Sequence, residues 1–126
     1  MPSLAQPIAL SLHPASARRQ LEDLLSAASL RIDTDGVILA LHEALVNAER
    51  HGGGATRAEA VLDASGLVLQ VWDRGPGFDL GPYASRPPDP MAERGRGIWL
   101  ISRVASSYEL RHDHLGASMV MRFDRR

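Results

Sequence analysis

Glu43, Asn47 and His51 stand four residues apart, the first two among Leu41, Ala44, Leu45, Val46 and Ala48. On an α-helix each step of four turns about 40° round the axis, so a carboxylate, an amide and an imidazole project from one face. Polar groups in apolar surroundings need partners, although a solvated stripe accounts for the spacing equally well in isolation. His42-Glu43 begins like a zinc-peptidase helix, but Val46 stands where the second histidine is required, which sets that chemistry aside.

Two further patterns follow. Asp73-Arg74-Gly75-Pro76-Gly77 puts an acceptor-only carboxylate before two glycines, which let a ligand approach the backbone. In Arg94-Gly95-Arg96-Gly97 the free amides of a helix start stand beside two guanidinium groups, a combination suited to an anion such as phosphate. Alone, each is better explained as a tight turn or a glycine-rich helix start. In this order, with a proline- and glycine-rich stretch between the last two, they form one constellation.

The elements that hold these residues can be read from periodicity. Ile8 to His13 alternates as a strand and stops at Pro14. Ser16 caps a helix to about Ala28, with Leu21, Leu24, Leu25 and Ala28 on one stripe. A long second helix starts after Asp33 or Asp35 and continues to His51, where Gly52-Gly53-Gly54 stops it. Arg57 to Asp63 and Leu67 to Asp73 form a hairpin, residues 74–94 a long loop, and 97–105 a helix, before strands at 108–111 and 118–123. The order implies an α+β fold: a two-layer α/β sandwich with helices on one face of a mixed, mostly antiparallel sheet.

Composition narrows the chemistry. With 126 residues the chain is sized for one domain, able to bury about two thirds of its unfolded surface. All 14 basic residues are arginine, which excludes the lysine of a phosphate loop, a Schiff-base lysine and the strand lysine of eukaryotic-type kinases. The absence of cysteine excludes disulfides, thiolate zinc sites and thiol nucleophiles. A net charge of -1 gives no electrostatic footprint for nucleic acid. The apolar run from Val37 to Leu41 is too short to span a bilayer, and the expectation is a cytoplasmic protein with no membrane partner.

The three constellations together resemble the ATP-binding superfamily shared by gyrase, the Hsp90 chaperones, sensor histidine kinases and MutL, whose domain is known as the Bergerat fold. Most closely the chain resembles the small anti-sigma-factor serine kinases of bacterial partner switching. Glu43 to His51 is similar to the N box, Asp73-Arg74-Gly75-Pro76-Gly77 to the first glycine box, and Gly95 to Ile101 to the second.

The resemblance implies roles. Asn47 would give an oxygen to Mg²⁺ bridging the phosphates of ATP, with His51 in the same box among the nucleotide-contacting residues. Asp73 would accept from the adenine amino group, and Gly75 and Gly77 would pack against the nucleotide. Gly95, Arg96 and Gly97 would offer amides to the phosphates, and Arg94 would reach the γ-phosphate from a lid over about 80–94. Ser118 would replace the threonine hydroxyl common after the C-terminal glycine. Glu43 would be the general base for a serine hydroxyl on a partner, and Arg18 on the first helix would belong to the partner surface.

The function so implied is an ATP-dependent serine kinase that phosphorylates an anti-anti-sigma protein of the STAS type and holds a sigma factor inactive, as a homodimer. The alternative is a nucleotide-responsive partner-binding protein without kinase activity.

Overall fold

The computed structural model describes residues 6–76 and 96–126. Strand β1 (Ile8–Ala9) leads to helices α1 (Pro14–Ala28) and α2 (Thr34–Gly52). Strands β2 (Ala55–Asp63) and β3 (Gly66–Asp73), helix α3 (Arg96–Val104), and strands β4 (Ser107–Asp113) and β5 (Gly116–Asp124) follow. The sheet order is β1-β2-β3-β5-β4. All four pairings among the described residues are antiparallel, so the expected mixture with parallel strands does not occur there.

Side chains alternate across the sheet. Ala58, Ala60, Leu67, Leu69, Val71, Met119, Met121 and Phe123 are buried on the side covered by the helices. Leu21 and Leu25 of α1, Val37, Leu41 and Leu45 of α2, and Ile98 and Ile101 of α3 complete this core. α2 lies centrally, touching α1, α3 and strands β2, β3 and β5.

The ends of α2 are chemically marked. Asp33 is the N-cap, its Oδ1 accepting from the Gly36 amide at 3.1 Å, so Asp33 and not Asp35 starts the helix. At the other end Gly53 takes the left-handed conformation (φ 73°), and its neighbour Gly54 donates to the Ala48 carbonyl.

The start of the chain differs from expectation. α1 is capped at His13 with Pro14 in its first turn, upstream of Ser16. Proline has no amide to leave unpaired there and its φ already suits a helix. The residues before it are therefore spent on the helix approach. The ladder ends early, with Leu10 still donating to Ala58 and Ser11 instead donating to the Gln20 side chain at 2.6 Å. α3 starts and stops one residue before the sequence estimate, and β4 and β5 extend beyond theirs.

Candidate functional site

The site is assembled around one helix. Glu43 and Asn47 are half-buried on α2, and the first turn of α3 crosses directly over them. A Cβ added to Gly97 would stand 2.8 Å from Glu43 Oε2 and 3.5 Å from Asn47 Oδ1. A side chain at 97 would push the Glu43 carboxylate aside, so glycine there lets the start of α3 lie on the carboxylate and the amide as they stand. Two motifs 50 residues apart in sequence (47 against 97) thus share one spot.

The third motif meets the far end of the same helix. Asp73, last in β3, points to the covered side of the sheet, as its register with Leu69 and Val71 requires. Its carboxylate rests on Gly52, the last residue of α2: a Cβ there would fall 2.5 Å from Asp73 Cβ, and closer still to Cγ and Oδ1. The Gly75 amide donates to Asp73 Oδ1 at 2.7 Å. Gly75 itself is pressed against the chain end of α2, its virtual Cβ 2.6 Å from the His51 carbonyl oxygen. Gly97 thus meets Glu43 and Asn47 in the middle of α2, and Asp73 and Gly75 meet its last turn at His51 and Gly52. Arg96 is exposed as the first residue of α3.

Among the described residues Asn47 Nδ2 is buried without a hydrogen-bond partner, while Asp73 Oδ1 takes the Gly75 amide. A buried amide without a partner costs about 1–3 kcal/mol, a penalty that a ligand would remove. Among the described residues no three His, Asp or Glu side chains gather as a cation cage. The Asn47 side-chain oxygen, close to the start of α3, is a hard donor of the kind Mg²⁺ takes together with phosphates and water.

Ser118 does not belong here. Ala117 pairs with Asp73, and Ser118 pairs with Trp72, so Ser118 points to the opposite face of the sheet. There its hydroxyl accepts from Gln70 Nε2 at 3.0 Å. One step of strand alternation separates the expected position from the observed one, and the residue sharing the face of Asp73 is an alanine. Arg18 is also away from this site, exposed on α1 and paired with Glu22 at 2.9 Å. It borders a groove of about 460 Å³ whose lining includes Pro14, Ala15, Ile38, Leu39 and His42. Gly77, Arg94, Gly95 and the expected lid over 80–94 lie outside the described residues.

Sequence reasoning treated Gly52 only as part of a helix stop. The signal that it does more is that the left-handed cap is Gly53, leaving Gly52 a helical position where alanine would be the better helix former.

No described helix is long and apolar enough to cross a membrane. A sequence profile of the histidine kinase-like ATPase domain matches residues 9–123, nearly the whole chain. No curated protein matches the chain as a relative.

Proposed function

The chain belongs to the histidine kinase-like ATPase domain family, and on that premise we propose that it is an ATP-dependent serine protein kinase that also acts as an anti-sigma factor. Domains of this family bind ATP, typically with Mg²⁺. The observation that carries the finer reading is the position of Glu43. This carboxylate is half-buried beside Asn47, whose Nδ2 has no hydrogen-bond partner among the described residues, and it lies under the start of α3.

In this reading Asp73 and Gly75 hold the base end of ATP, while Asn47 and the first turn of α3, with Arg96 and Gly97, face the phosphates. Asn47 would hold Mg²⁺, which when bound would supply charge neutralisation for the transferring phosphoryl group. Glu43 takes the proton of an incoming serine hydroxyl as its oxygen bonds to the γ-phosphorus and the bond to the β,γ-bridging oxygen breaks, releasing ADP. Modest basicity suffices if the proton leaves late in a loose transition state. With no lysine in the chain, cationic help comes from arginine and the metal.

The serine belongs to an anti-anti-sigma protein of the STAS type. The unphosphorylated antagonist and a sigma factor compete for a surface that includes Arg18 at the α1–α2 groove, and the working form is a cytoplasmic homodimer. Support for that surface is the exposure of Arg18 beside an apolar groove on the helix layer.

Calorimetric titration with ATP and ADP, with and without Mg²⁺, tests the base of this reading. Micromolar Mg²⁺-dependent binding, about -8 kcal/mol, is expected for the native chain, and Asp73→Asn weakens it. Glu43→Ala keeps ATP affinity but lowers phosphate transfer to a serine-bearing antagonist by roughly 10²- to 10⁴-fold. Unchanged transfer removes Glu43 as the base, whereas binding with no transfer by the native chain leaves a nucleotide-responsive binding protein.

A further inference from the structure

Asp73 is held from two sides. Its Oδ1 receives the Gly75 amide at 2.7 Å, and its β-carbon and carboxylate occupy the volume that any side chain at position 52 would fill. A carboxylate free to rotate offers two equivalent acceptors. Here Oδ1 is committed to the Gly75 amide and the group is backed against the last turn of α2, which leaves Oδ2 as the acceptor to offer a ligand.

From this we infer that Gly52 is a specificity-determining positioning residue: by letting Asp73 lie flat on the helix end, it makes the carboxylate read the nucleotide base with a single acceptor oxygen. That geometry favours a purine carrying an exocyclic amino donor over one carrying a carbonyl or a hydrogen at the same position. The inference rests on the reading that Asp73 faces the base of a bound nucleotide. Gly52 acts through Asp73 and touches no ligand itself.

The discriminating comparison uses three Mg²⁺-triphosphates on the full chain. ATP carries the amino group, inosine triphosphate a carbonyl in its place, and purine riboside triphosphate only hydrogen. The native chain is expected to prefer ATP over the other two by on the order of 10- to 100-fold, the worth of a hydrogen bond to a charged acceptor. In Gly52→Ala the added Cβ displaces the carboxylate. The ATP preference then shrinks to within about threefold, while purine riboside triphosphate binds as it does to the native chain. A merely structural loss would weaken all three ligands together and would overturn the inference.

Gly53→Ala is the control for disturbance of the helix end. Its φ of 73° strains a non-glycine residue, but nothing lies within 4 Å of the new Cβ, so the preference for ATP stays as in the native chain. Asp73→Asn tests the same geometry without crowding. The Gly75 amide requires the side-chain oxygen, which turns the NH₂ group toward the ligand and moves the preference from ATP to inosine triphosphate.

A Gly52→Ala protein that discriminates like the native one overturns the inference while leaving the nucleotide site intact, and so does an Asp73→Asn protein that still favours ATP. Should Gly52→Ala not fold, the Asp73→Asn outcome decides alone. If the native chain binds none of the three, the nucleotide reading itself falls, and the inference with it.

Discussion

Leu69, Val71 and Met121 meet the helices with at most 2% of their surface exposed, whereas Val68, Gln70, Trp72 and Arg122, their neighbours in the chain, lie on the uncovered face of the same sheet. The two faces handle polar groups differently. On the open face Arg57 stacks over Trp72 at 4.7 Å and pairs with Glu59, Arg111 pairs with Glu109, and Gln70 donates to Ser118. Arg57–Glu59 and Arg111–Glu109 pair along one strand, and Arg57–Trp72 and Gln70–Ser118 pair across adjacent strands. On the covered side, among the described residues, Asn47 Nδ2 is buried without a hydrogen-bond partner. Where a fold satisfies its own polar groups it has a surface; where it leaves them unsatisfied beside a core it has a site.

The largest effect that could break this contrast is a truncation on each face. Leu69→Ala should cost about 2–5 kcal/mol, as buried leucines do, and Val68→Ala less than about 1 kcal/mol, measured by denaturant unfolding. Equal losses would mean that the open face is covered too. The contrast is sharpened next at the start of α2, which seals the covered side. Asp33→Ala removes the cap bond to Gly36 and should lower stability by about 1 kcal/mol in the same assay.

The smallest effect concerns the hairpin tip, where the faces meet. The Ser65 hydroxyl, then the Ser65 amide, hold the Asp63 carboxyl below its ordinary value. A depressed carboxylate stabilises the fold fully above its unfolded pKa and loses that contribution as pH falls through the lower folded value. The stability difference between the native chain and Asp63→Asn should therefore be present at neutral pH and vanish in acid. A difference that persists at low pH would assign it to shape instead of charge.

Much of this was legible in the sequence because it depends on local physics. The four-residue spacing of Glu43, Asn47 and His51, the acidic cap and the glycine stop defined α2 to within a residue. The hairpin followed from alternation around its turn. What failed depended on register or on partners distant in sequence. Ser118 and Ala117 are equally good strand residues, and only the pairing with β3 decides which one faces Asp73. Pro14 could end a strand or begin a helix, and packing of α1 made it the latter. Gly52 looked like one of three interchangeable stops until Asp73 was seen resting on it.

α2 also works as a ruler. Nine helical steps run from Glu43 to Gly52, which sets the proposed proton acceptor about 13 Å along the axis from the glycine that backs Asp73. A ligand that must touch both ends is thus gauged by its length as well as its functional groups. Nine steps of about 100° set the two marks half a turn apart, and one inserted residue, while lengthening the rod by only about 1.5 Å, would swing one of them about 100° further and break that relation.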